Sequence, residues 1–245
     1  SCLVGSEMCI RDRDNSIKLA KQKKVSGIVT LPIIKKTLIE NGFNYPGHTE
    51  YLGKVSKKKP LMIMLNQKLK VATLTTHIPI SQITKKVTKK NLENTIQIYI
   101  NSLTKDFGII NPKIAVSALN PHSGEEGKIG KEEINIIKPV IDKFKKRGKT
   151  IYGPIPADTM FHQDALKNID ANLCMFHDQA LIPIKSSDFY GSINFTAGLP
   201  FIRTSPDHGT AFDIVGLNKA NNSSLINAIK YVQMIYNQRI KNEKK

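Results

Sequence analysis

KIAVSALNPHSGEEGKIGKEEINIIKPVIDKFKKRGK, residues 113–149, decides the fold. Its first seven residues form an apolar, β-branched run that reads as a strand buried on both faces. From Lys131 to Arg147 apolar residues recur at helical spacing, and Gly148 follows, so the spacing predicts a helix over 131–147. Between the two stand Asn120, Pro121, His122, Ser123, glycines and two glutamates. A polar loop between a buried strand and a helix sits at the carboxyl edge of an α/β sheet, where ligands bind.

The same alternation runs outward in both directions. Upstream, VSGIVTLP reads as a strand and IIKKTLIENG as a helix closed by Gly42. PLMIMLN and LKVATLTTHIPI are strands, the second ending at His77. ISQITKKVTKKNLENTIQIYINSLTKDFG is helical, with a break expected near Thr84 or Lys90. Downstream, KTIYGPIPADTMF is a strand entering a polar loop, and HQDALKNI is a short helix. ANLCMFHDQALIPIK reads as a strand, a loop carrying His177 and a second apolar stretch. INFTAGLPFIRTSPDHGTAFDIVG is strand and loop. SSLINAIKYVQMIYNQRIKNEKK is an amphipathic helix with a basic tail. Strands alternating with helices predict an α/β fold, with a largely parallel sheet and helices on both faces.

Composition narrows the classes. The 245 residues leave room for one large or two modest domains. Hydrophobic residues make up 40% and charged residues 23%, an ordinary globular balance. No apolar run approaches the ~18 residues that span a bilayer, and the N-terminus lacks a secretory core segment. Three cysteines, Cys2, Cys9 and Cys174, are too few for a disulfide framework or a Cys-rich zinc site. A cytoplasmic, reducing setting is the expectation. The net charge of +17 invites a nucleic-acid reading. The lysines are scattered, however, and no aromatic-interleaved basic strip accompanies them. A lysine-rich surface that attracts an anionic substrate accounts for them better. Residues 1–13, SCLVGSEMCIRDR, share no period with the rest. They read as a non-native scar and are set aside from the fold.

Three of the six histidines, His77, His122 and His177, end a strand or follow one closely. In a parallel sheet these positions share one edge. Three imidazoles with an open fourth position suit a catalytic divalent metal, although a loop histidine is more often a surface or hydrogen-bonded residue. No Gly-rich dinucleotide fingerprint, P-loop, nucleophile elbow or H-E-x-x-H is present.

Seven blocks, taken together and in order, resemble one family: VTLPIIK, YPGHTEYL, TTHIPI, LNPHSGEEGKIGKEE, GPIPADTMF, FHDQALIPIK and GLPFIRTSPDHGTAFDIVG. That family is the 4-hydroxythreonine-4-phosphate dehydrogenases of pyridoxal phosphate biosynthesis. The likeness runs from about residue 14 to about 235. It implies an isocitrate/isopropylmalate-dehydrogenase-like α/β fold of two subdomains, with the active site in the cleft. Residues 14–52 and 200–245 would form a first, incomplete subdomain. Residues 53–199 would form a second, carrying a homodimer interface at which the active sites lie. The resemblance implies NAD (or NADP), bound without the usual fingerprint, and a divalent metal: zinc, magnesium or cobalt.

Site residues follow by the same route. The metal ligands fall on His77, His122 and His177. Substrate contacts fall on His48, Thr49, Lys185, Asn194 and Arg203. Asp158 matches an active-site aspartate, and Lys185 or Asp158 would handle the proton. His208, in DHGTAFD, falls in a loop near the cofactor. Glu125 or Glu126 would support His122, unless they are solvated loop charges. The implied reaction oxidises 4-phosphohydroxy-L-threonine to a β-keto acid that loses carbon dioxide, yielding 3-amino-2-oxopropyl phosphate. A D-threonate or D-erythronate 4-phosphate dehydrogenase of the same family is the alternative. A basic nucleic-acid-binding protein is a distant one. The chain departs from the family pattern after HDQ, where Ala180 replaces the usual glycine. It also lacks a family-type segment ahead of PGHTEYL, so a sheet short of strands and a poorly stable fragment are expected.

Overall fold

The computed structural model describes residues 2–33, 45 and 48–244. Strands β1 to β8 are, in chain order, Ile28–Val29, Leu61–Leu65, Lys70–Thr73, Ile114–Ser117, Ile151–Ile155, Ala171–Cys174, Ile193–Ala197 and Arg203–Pro206. Among the described residues, α-helices α1 to α8 are Cys2–Lys21, His48–Ser56, Ile83–Lys86, Lys89–Phe107, Lys138–Lys146, Gln163–Leu166, His177–Ser187 and Ser223–Glu243. The helix expected over IIKKTLIENG lies outside the described residues.

The chain divides into two compact units, Ser1–Pro60 with Tyr190–Lys245, and Leu61–Phe189. The boundaries expected at 52/53 and 199/200 therefore move. The physical reason is β7, which pairs antiparallel with β8 through Ile193–Pro206, Asn194–Ser205 and Phe195–Thr204. That ladder binds residues 190–199 to the first unit.

In the first unit β8 lies between β1, parallel to it, and β7. Helix α8 packs on all three strands, and Thr204 Oγ1 donates to the Ala228 carbonyl 2.9 Å away. Helix α1 runs unbroken from Cys2 to Lys21. Ile17 and Ala20 of this helix pack with Tyr51, Leu52, Leu199 and Phe201. The Tyr51 hydroxyl donates to Asp14. Burial and that carboxylate push the Tyr51 phenol above its ordinary range.

In the second unit the strand order is β2-β3-β6-β4-β5. β3, β6, β4 and β5 run parallel, and only β2 is antiparallel to its neighbour. All five residues of β2, LMIML, are buried, as expected of a strand covered on both faces. One face carries Met62, Met64, Val71, Ala115 and Cys174 beneath Ala180 and Ile184 of α7. Toward the other face α4 packs against β2. It buries Leu92, Ile96, Tyr99 and Leu103, an i, i+4, i+7, i+11 stripe. Thr88 caps its start by accepting from Asn91 N, and Gly108, at φ 73°, closes its end. The helical break thus falls at Val87–Thr88, between the two expected positions. The helix expected over 131–147 begins as a π-helical turn, Glu133–Ile137, and continues as α5.

Candidate active site

Three parallel strands lie side by side in the order β3-β6-β4, and each is followed by a histidine. β3 ends at Thr73 and leads to His77. β6 ends at Cys174 and leads to His177. β4 ends at Ser117 and leads to His122. β5, parallel to β4, ends at Ile155 and leads to Asp158. Four sequence-predicted residues therefore leave the same edge of one sheet.

Backbone and side-chain bonds tie these exits to β6. Leu74 N donates to the Cys174 carbonyl at 2.8 Å, and Thr75 Oγ1 donates to the Met175 carbonyl at 2.8 Å. These two bonds draw the β3 exit onto the β6 exit. Their consequence is that the His77 and His177 rings meet, with centroids 5.6 Å apart and planes at 49°. On the other side of β6 the clamp is Gln179. Its Oε1 accepts from Met175 N at 3.0 Å and Ser117 Oγ at 3.2 Å, and its Nε2 donates to the Ala118 carbonyl at 3.0 Å. Replacing Gln179 by leucine is expected to lower stability by ~1–3 kcal/mol, because it strands a backbone N–H and C=O beneath the site. Urea unfolding of the variant checks this.

His177 is the first residue of α7, not a loop residue as the sequence suggested; Phe176, at the N-cap position, is extended and makes no side-chain cap. Its Nδ1 is 2.6 Å from Asp178 Oδ1. His122 Nδ1 is likewise 2.8 Å from Glu125 Oε1. A carboxylate at Nδ1 fixes the Nδ1–H tautomer and turns Nε2 outward as the donor, the usual arrangement around a metal-bound imidazole. Of the two glutamates expected to support His122, Glu125 makes the contact. The donor chemistry therefore fits a divalent cation. His122 itself does not join the His77–His177 pair. Among the described residues no three His, Cys, Asp or Glu side chains gather closely enough to hold an ion. Cys174, three residues before His177, is fully buried, and burial pushes its thiol up. A pocket of about 210 Å³ opens against the histidine pair, lined by Thr76, His77, Ile80, Phe176, His177 and Asp178 among others.

Lys185 is half-buried in α7, with Nζ 5.1 Å above the Phe189 ring. Asp158 is exposed in the turn after β5. It caps no helix; the cap of α6 is His162, whose ring accepts from Ala165 N.

In the first unit Asn194 and Arg203 share one face of the β7–β8 ladder with Thr196 and Ser205. Arg203 is 4% exposed. Its Nε and Nη2 donate to Thr30 Oγ1 at 3.0 and 2.6 Å, and its Nη1 donates to Thr196 Oγ1 at 2.9 Å. Two threonines thus fix a buried guanidinium, and neither was picked out from sequence. The Asn194 Oδ1 is buried and accepts no hydrogen bond among the described residues. It is an acceptor that a ligand N–H or O–H would satisfy. His48 opens α2, followed by half-buried Thr49. His208 is exposed, with Nδ1 against the Gly209 carbonyl.

The sequence model of the pyridoxal phosphate biosynthetic protein PdxA matches residues 5–232. The chain belongs to the PdxA family. A 4-hydroxythreonine-4-phosphate dehydrogenase from Caulobacter vibrioides is 44% identical over 92% of this chain and 70% of its own length. The crystal structure of the Klebsiella pneumoniae 4-hydroxythreonine-4-phosphate dehydrogenase superposes with a TM-score of 0.84. It is 39% identical and covers 94% of this chain and 71% of that one. A β-decarboxylating dehydrogenase from Thermococcus kodakarensis shares the fold, with a TM-score of 0.50 at 13% identity over 84% of this chain and 71% of that one. The PdxA match takes in part of the N-terminal segment that the sequence reading set aside. Like its PdxA relatives, the chain is a dehydrogenase.

Proposed function

We propose that this chain oxidises the C3 alcohol of 4-phosphohydroxy-L-threonine, with NAD as the hydride acceptor and a divalent cation at His77, His122 and His177. The observation that carries the reading is the meeting of His77 and His177 at the carboxyl edge of parallel strands, with the His177 Nδ1 held by Asp178. A cation bound there supplies Lewis acidity, which lowers the pKa of the alcohol and of the enol formed later. His122, its Nδ1 held by Glu125, would be the third ligand, brought to the pair from which it stands apart here.

The chain's own side chains do the rest. Arg203 takes a substrate anion, since its guanidinium is already fixed by Thr30 and Thr196 and loses little freedom on binding. Asn194 offers its buried Oδ1 to a substrate N–H or O–H. His48 and Thr49 also contact substrate, and His208 lies toward the cofactor. Lys185 or Asp158 accepts the hydroxyl proton as the C3 hydride leaves for the nicotinamide. The product, 2-amino-3-oxo-4-phosphooxybutanoate, is a β-keto acid. It loses carbon dioxide and gains a proton to give 3-amino-2-oxopropyl phosphate. The working form is a cytoplasmic homodimer with its active sites at the subunit interface. Among the described residues no helix is long and apolar enough to cross a membrane.

NADH formation tests the reading, with 4-phosphohydroxy-L-threonine and D-threonate 4-phosphate offered in parallel, with and without a chelator. Chelator-sensitive turnover of the first compound is expected. Turnover of the second alone would keep the dehydrogenase and change its substrate. A folded, cobalt-loaded chain that turns over neither would overturn the proposal.

A further inference from the structure

Glu133 is 2% exposed and sits at the start of the π-helical turn behind the His122 loop. A buried carboxylate is costly unless its oxygens are filled. These are filled by the loop. Oε1 accepts from Leu119 N and Asn120 N, both at 2.8 Å, and Oε2 accepts from Asn120 Nδ2 at 2.9 Å. Asn120 Nδ2 also donates to Glu132 at 2.8 Å. Leu119 and Asn120 are the last two residues between the end of β4 at Ser117 and the Pro121–His122 step.

The glycines of the loop make room for this contact. A Cβ on Gly130 would lie 2.1 Å from Asn120 Nδ2, and one on Gly124 would lie 2.8 Å from Glu133 Oε2. The following residues, His122 to Glu126, all have φ between 40° and 79°. Residues other than glycine rarely adopt that left-handed conformation, and a run of it persists only where its surroundings fix it. Glu133 fixes the end at which the run begins.

We infer that Glu133 is a positioning residue for His122: its carboxylate sets the Leu119–Asn120 turn from which the His122 imidazole is aimed. The inference rests on the reading of His122 as a metal ligand. It gives Glu133 no contact with metal or substrate.

The experiment is a double-mutant cycle read by Co²⁺ affinity, from the visible absorption of the bound ion, on the full chain. The variants are His122→Ala, Glu133→Gln and the two combined. In Glu133→Gln one oxygen can keep both backbone N–H bonds, while the new amide meets Asn120 Nδ2 donor to donor. The affinity of Glu133→Gln is expected to fall ten- to hundredfold, the range for residues that orient a ligand. The combined variant is expected to bind no more weakly than His122→Ala alone, because both changes act through one imidazole. Losses that simply add would make Glu133 a general structural anchor and overturn the inference. So would an unchanged affinity in Glu133→Gln beside a weakened His122→Ala. An unchanged affinity in His122→Ala would instead remove His122 from the ligand set. Should Glu133→Gln fail to fold, Asn120→Ala removes the same side-chain contact from its other end, and the same outcomes decide.

Discussion

Replacing His177 by alanine is expected to lower chelator-sensitive turnover by more than about a hundredfold, beyond the range for residues that merely support a metal ligand. Two features of His177 underlie this. Its ring is one half of the imidazole pair, 5.6 Å from that of His77. Its Nδ1 is committed to Asp178, so Nε2 is the atom left to bind. Asp178→Asn should keep the ligand and blur its tautomer, with a smaller loss of about ten- to hundredfold. Steady-state kinetics across a cobalt titration separates the two. For Asp178→Asn, added metal should recover much of the rate. For His177→Ala it should not. A His177→Ala enzyme within about tenfold of the parent would sink the metal-site reading.

The second large effect is on stability. Phe195 is fully buried on β7 and points away from the face that carries Asn194 and Thr196. Truncating it to alanine removes the largest side chain of an apolar face that it shares with the buried Ile193 and Ala197. The expected cost is ~3–5 kcal/mol, the usual range for a buried phenylalanine whose cavity cannot collapse. Urea unfolding should show a lower midpoint with an unchanged slope. A loss below ~1 kcal/mol would mean that this core is not packed as described.

The strands and helices were legible because their signals are local. The Leu92–Leu103 stripe has helical spacing, and LMIML is apolar throughout because both of its faces are covered. The three histidines were legible as candidates because each follows a β run. Other assignments failed for equally physical reasons. His177 begins a helix although Pro183 and a run of apolar residues hide the helical pattern. Residues 190–199 belong with the first unit because pairing with Arg203–Pro206 outweighs their place in the chain. Thr30 and Thr196 carry no pattern at all; only pairing on either side of β8 makes them partners of Arg203.

The sequence by itself determined which residue types stand at the strand exits, since hydrophobic periodicity fixes where strands end. It also determined the family, through seven blocks in order. Only the tertiary structure decided which exits meet. Strand order is a long-range choice that no local pattern encodes. Putting β6 between β3 and β4 is what lets Thr75 reach the β6 exit on one side while Gln179, which follows β6, reaches the β4 exit on the other. The same structure decided that His77 and His177 form a pair while His122 stands apart on a left-handed turn. A ring-to-ring distance depends on hydrogen bonds between residues a hundred positions apart, such as those that Thr75 N and Oγ1 donate to the Met175 carbonyl.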